Sequence, residues 1–185
     1  MTNPADIARA LSEYEHYSRE PLLSVQSKSQ IDEPDRKPRG LWISVPGNDD
    51  WPSWCRDEGF RLGALSNCAT ITLHECAKVL HIRSARELDD FHEAYSVWAR
   101  EAWKCDLISW AGVAQDYQGV VIAPYQWSHR LYGPVSRWYY GWDCASGCIW
   151  DADAIASIST CPTASDASTD RTPATVDGCG RKVDR

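Results

Sequence analysis

Residues 37–44 read Lys-Pro-Arg-Gly-Leu-Trp-Ile-Ser, a turn that runs straight into a short apolar strand. Pro38 fixes its own φ and biases Lys37 toward extended backbone. Gly40 permits a backbone approach that a β-carbon would block. Leu41, Trp42 and Ile43 favour a half-buried strand, and Ser44 closes it with a hydroxyl. Such a strand either holds a flat ligand against its ring, with a polar edge alongside, or is an ordinary core strand. Two further segments carry reactive residue types. His16-Tyr17-Ser18-Arg19 lies upstream, with Leu22-Leu23-Ser24-Val25-Gln26 just after it. Downstream, residues 110–122 contain Asp116 and Gln118 and end in Val120-Val121-Ile122.

In this order the segments resemble the ADP-ribosyltransferase superfamily. That family has an early strand with His-x-Ser/Thr or Arg, a second strand of Gly-aliphatic-aromatic type, and a late strand with a glutamate or a substitute near its start. The resemblance implies that NAD is bound as a substrate by a first group of His16, Ser18 and Arg19 and a second of Gly40, Leu41, Trp42 and Ser44. His16 or Arg19 would contact ribose and phosphates, Gly40 would admit the carboxamide, and Trp42 would clamp the nicotinamide. A shifted register makes residues 22–26 the first strand and puts Ser24 or Gln26 at the ligand. The late segment offers Gln118 and Asp116 in place of glutamate. Cleaving the nicotinamide–ribose bond builds positive charge on the sugar, which a carboxylate offsets. Gln118 can bond a ribose hydroxyl but cannot offset that charge, which implies a degenerate binder. Asp116 at the same point would keep the chemistry. The small, tryptophan-rich chain is similar in this respect to phage and mobile-element proteins.

Other chemistries have no signature here. The chain lacks Gly-x-x-x-x-Gly-Lys-Ser/Thr, Gly-x-Gly-x-x-Gly, Gly-x-Ser-x-Gly and His-Glu-x-x-His. Its five histidines show no ligand spacing. A net charge of −7 with no basic run argues against general phosphate-mediated binding to nucleic acid, so the unknown macromolecular acceptor is expected to be a protein. No apolar leader or membrane-length run is present, which predicts a soluble, cytoplasmic protein. In that compartment the eight cysteines are expected as free thiols; export would instead allow disulfides of undetermined pairing. Cys144-x3-Cys148 and His74-x-Cys76 lack the repeated, tighter spacing of structural zinc sites, so no metal is expected. Cys144 and Cys148 could still meet across a turn as a redox pair.

The elements that must position these residues follow from period and punctuation. The chain has 185 residues, 43% of them hydrophobic, which fits one α+β domain with a mixed, strongly bent sheet and short flanking helices over residues 1–157. From 158 to 185 small polar residues dominate, predicting a disordered tail. Helices are predicted over 3–15, 51–60, 84–98 (Ser84 and Glu87 forming a capping box) and 107–115. Strands are predicted at Leu23–Val25, 41–44, 69–73, 78–82, 120–123, 138–142 and 148–150. The ten tryptophans stand against two phenylalanines, and those at 138, 142 and 150 sit in a Trp/Tyr-rich cluster. That cluster reads as core packing, a stacking platform or a partner-binding face. The partner-binding face makes the chain a non-catalytic accessory protein, the alternative to a transferase.

Overall fold

The computed structural model describes residues 13–32, 37–99 and 105–161. Its centre is a seven-stranded sheet of order β4-β7-β8-β2-β1-β3-β9. The strands are β1 (Glu13–Ser18), β2 (Leu41–Ser44), β3 (Asn67–Leu73), β4 (Val79–Ile82), β7 (Gly119–Ile122), β8 (Ser146–Ile149) and β9 (Ile155–Thr160). Only β4 and β7 pair in parallel; every other neighbour is antiparallel. A separate hairpin joins β5 (Ser96–Ala99) to β6 (Cys105–Ile108). The helices α1 (Trp51–Asp57), α2 (Ala85–Tyr95), α3 (Trp110–Asp116) and α4 (Ser136–Tyr139) complete one α+β domain. None of the described helices is long and apolar enough to cross a membrane.

Alternation along β7 explains the two-sided core. Val120 and Ile122 belong to one buried cluster, with Trp110, Tyr139, Trp142 and Trp150. Val121 belongs to the other, with Leu41, Ile43, Ile71 and Ile149. A strand buried on both faces reads as a continuous apolar run, and all four residues of β7 are buried. Aromatic rings tie the first cluster together. Trp110 meets Trp138 and Trp142 at 6.0 Å, and Trp138 meets Phe91 at 5.6 Å. Each such pair adds about 0.5–1.5 kcal/mol beyond its buried area.

Gly40 is required by packing. A β-carbon there would sit 2.9 Å from the carbonyl carbon of Ile149 on the neighbouring strand β8. The room it makes is therefore filled by the sheet and not left for a ligand.

Several predicted elements need correction. Residues 3–12 of the N-terminal helix lie outside the described residues, but Glu13–Glu15 begin β1, paired along its length with β3. Leu23–Val25 form no strand: Leu23 is 89% exposed, while Leu22 and Val25 pack against the second cluster. The helix from Ser84 stops at Tyr95 and gives way to β5. The 107–115 helix starts late, because Leu107 and Ile108 finish β6 and the Ser109 hydroxyl then caps α3 by accepting from the Gly112 N–H at 3.1 Å. Asp32 adds a remote cap, accepting from the Ala111 N–H at 2.9 Å and the Ser109 hydroxyl at 2.7 Å. Residues 138–142 are not a strand but α4 and a 3-10 turn, Tyr140–Trp142. Val135, Tyr139 and Trp142 are all buried, and their spacing of four and three is helical. The boundary at 157/158 also moves: β9 carries ordered pairing to Thr160, and Cys161 forms a disulfide with Cys68. The rest of the expected tail, 162–185, lies outside the described residues.

Candidate functional site

β1 and β2 lie side by side with Glu15 opposite Ser44. Around that pair opens a cleft of about 290 Å3, lined also by Trp51 of α1 and by Trp142, Asp143, Cys144 and Ser146. The Pro46-Gly47 turn returns the chain so that the Trp51 N–H donates to the Ser44 hydroxyl at 3.0 Å. Asp50 caps α1, accepting from the Ser53 N–H at 2.8 Å. Trp51 is held by stacking on Trp54 at 5.2 Å.

Trp42 is half-buried and lines the cleft. The Trp142 edge meets it at 4.9 Å, and the Lys37 ammonium sits 5.0 Å from its centroid. His16 Nδ1 lies 2.7 Å from the Trp42 carbonyl. A carbonyl only accepts, so Nδ1 is the donor in this contact. Glu15 accepts from the Tyr17 hydroxyl at 2.6 Å. Burial, then that hydrogen bond, pushes the phenol pKa upward, so Tyr17 stays a donor.

Asp143 also lines the cleft. Its φ of +50° is a left-handed value that a non-glycine residue adopts at a cost of about 1–3 kcal/mol. Lys37 and Arg130 each approach its carboxylate at 3.7 Å. Burial raises the carboxyl pKa, and the two cations pull against that rise. The cleft thus combines an indole face, the carboxylates Glu15 and Asp143, and the cations Lys37 and Arg61. A flat ring, a sugar's hydroxyls and a phosphate each find a partner in that set. Its volume is at the lower edge of small-molecule sites, about 300–1,000 Å3.

Comparison with protein-family models, with curated proteins and with solved structures finds no match.

Of the residues singled out in the sequence, His16, Trp42 and Ser44 line this cleft. Leu41 is buried on the opposite face, and Gly40 packs against β8. Ser18 lines a different groove, its hydroxyl donating to the Glu20 carbonyl at 2.6 Å. The Arg19 carbonyl accepts from Asn67 at 2.6 Å, and Gln26 is exposed on the extended segment; neither lines the Trp42 cleft. Gln118 and Asp116 border a second cleft beside Trp150. Gln118 is a structural bridge there. Its amide oxygen accepts from the Lys78 N–H at 2.9 Å and its amide nitrogen donates to Asp151 at 2.8 Å. Asp116 accepts from the Tyr95 hydroxyl at 2.7 Å. Glu15, Lys37 and Asp143 are the site residues that sequence reasoning missed. Glu15 and Tyr17 flank His16 in a strand, so period two alone puts both on one face.

The Gln118 bridge gives a direct expectation. Its amide, followed by the Asp153 N–H, holds the Asp151 carboxyl below the usual carboxylate range. That stabilisation is present at neutral pH and is lost only as pH falls through the lowered value. Gln118→Glu sets a second carboxylate against Asp151 and should cost about 1–3 kcal/mol at pH 7. The loss should shrink in mild acid, where like-charge contact raises the new carboxyl's pKa and it takes up a proton. Urea melts at pH 7 and pH 5 check this. No gain in NAD turnover is expected.

The pair Cys144 and Cys148 also differs from expectation. Both are free, buried thiols, and burial pushes Cys144 up to about 12 and Cys148 upward as well. Inert thiols of this kind do not support a redox pair.

Proposed function

We propose that the chain is an ADP-ribosyltransferase-like protein that binds NAD in the β1–β2 cleft, with the nicotinamide against Trp42. One observation carries the reading: His16, Trp42 and Ser44, drawn from two separate sequence segments, line a single open cleft that also holds carboxylates and cations. The carboxylate role passes from Gln118 and Asp116 to Glu15, which lies beside Ser44 across β1 and β2. A carboxylate there stabilises positive charge developing on the ribose. The sheet belongs to the ADP-ribosyltransferase-like type in this reading, and the acceptor is a protein. An open groove with Arg130, Leu131, Tyr132, Arg137 and Tyr140 lies next to Asp143 through Arg130 and suits acceptor docking.

Thermal melts with NAD test the reading. At a hundredfold its dissociation constant NAD should add about 2.7 kcal/mol. No shift at millimolar NAD overturns it.

A second reading is favoured by the remote position of Gln118 and Asp116. In it the chain binds NAD without transfer, or acts as an accessory protein through an aromatic face. Tyr139, Trp142 and Trp150 are buried, so such a face consists instead of Trp127, Leu131, Tyr132 and Tyr140, each more than half exposed. Nicotinamide release separates the two: a transferase liberates it, whereas a binder is stabilised and liberates none.

A further inference from the structure

Three adjacent strands bring one carboxylate and two sulfurs together. In the β1–β3 register Glu15 lies opposite Thr70 and Tyr17 opposite Cys68. In the β3–β9 register Ala69 lies opposite Thr160, so Cys161 follows immediately and its N–H donates to the Cys68 carbonyl at 3.1 Å. A carboxylate oxygen of Glu15 and the sulfurs of Cys68 and Cys161 all lie within 4.8 Å of one another. Cys68 and Cys161 are joined as a disulfide.

We propose that, when this disulfide is reduced, Glu15, Cys68 and Cys161 hold a zinc-class divalent cation, so that the bond and the metal are alternative occupants of one site. Thiolates and a carboxylate form an ordinary donor set for such an ion, with metal–sulfur distances of about 2.3 Å and metal–oxygen distances of about 2.0–2.2 Å. Tetrahedral geometry then separates the sulfurs by roughly 3.8 Å, a small movement once the S–S bond is open. Supporting contacts are already in place. The Tyr17 hydroxyl donates to Glu15 Oε2 and leaves Oε1 to coordinate. The Thr70 hydroxyl donates to Cys161 Sγ at 3.7 Å. Partners of this kind orient metal ligands.

The exchange balances simply. A dithiol or phosphine reductant supplies two electrons, the S–S bond breaks, and two protons from solvent or the dithiol complete the thiols. The cation then displaces both thiol protons. In a reducing compartment the thiols are the standing form, so the metal form belongs with the cytoplasmic location expected from the sequence. Three protein ligands leave one coordination position open. Glu15 also lines the Trp42 cleft, so loading the ion engages a residue of that cleft.

The test uses the full chain, reduced with a phosphine and desalted without oxygen, then titrated with zinc against a chromogenic chelator. One zinc per chain is expected, and cobalt in its place should give thiolate charge-transfer absorption. Protein with the disulfide intact should bind neither at this site. Glu15→Gln keeps both cysteines and should weaken zinc by at least about 10–100-fold, the loss that follows removal of even an outer partner of a metal ligand. Cys68→Ser should lose the cobalt band, with far-UV circular dichroism confirming the fold. If Cys68→Ser fails to fold, Glu15→Gln and the reduced-against-oxidised comparison carry the test. The proposal is overturned if the reduced chain leaves zinc with the chelator, or if Glu15→Gln or folded Cys68→Ser binds as the parent does. None of these readouts uses NAD, so their outcome is independent of the nucleotide reading.

Discussion

Trp42→Ala should abolish the NAD-dependent stabilisation while leaving a folded protein. The indole is half-buried and forms one wall of the cleft, touched by the Trp142 edge and the Lys37 ammonium. Its removal takes away the only flat surface on β2 against which a pyridine ring can lie, and frees Lys37 from its seat over the ring. The loss of intrinsic stability should fall below the roughly 3–5 kcal/mol of a fully buried tryptophan, because part of the ring already meets solvent. The ligand increment of about 2.7 kcal/mol at a hundredfold dissociation constant should disappear. Paired melts with and without NAD separate the two effects. A variant that keeps the parent's increment would exclude Trp42 from the site.

The larger loss of stability is expected from Trp150→Ala, and it should leave the NAD increment intact. Trp150 is 4% exposed, meets Trp110 at 6.4 Å, and donates its indole N–H to the Tyr117 carbonyl at 2.8 Å. Truncation opens a cavity in the first cluster and should cost about 3–5 kcal/mol. The orphaned Tyr117 carbonyl adds a desolvation penalty of about 1–3 kcal/mol if water cannot reach it. Trp150 borders the Gln118 cleft and not the Trp42 cleft. The NAD increment, measured below the lowered midpoint, should therefore match the parent. Equal loss of increment in both variants would mean that the melts report general loosening and not a site.

The contrast between these tryptophans shows what could be read from the chain. Trp42 is legible because a Lys-Pro-Arg-Gly turn precedes a short apolar strand, and local turn chemistry fixes both. β3, β4 and β7 were legible for the same reason: runs of β-branched and apolar residues bounded by turns; of β8 only Cys148 and Ile149 were, because Ser146-Gly147 reads as part of the connecting turn and not as strand. The 138–142 segment was misread because Trp and Tyr favour strands on average, whereas burial at Val135, Tyr139 and Trp142 follows a helical period set by tertiary packing. Glu15 and Asp143 were missed for a different reason. Their roles depend on β1 lying beside β2 and on a left-handed turn after Trp142. The Cys68–Cys161 disulfide depends on β9 reaching β3. No spacing in the sequence encodes such neighbours. The same limit explains Gln118: its place before an apolar strand was visible, but its engagement with Lys78 and Asp151 was not.

A nicotinamide ring lying against Trp42 between β1 and β2, as proposed, is reported most directly by the indole N–H resonances. With 15N-labelled tryptophan and single-site assignment, NAD should shift and saturate the signals of Trp42, Trp51 and Trp142, all at the cleft, while that of Trp150 stays still. If no cleft indole moves at millimolar NAD, or if only Trp150 or the exposed Trp127 responds, the account of the site is wrong.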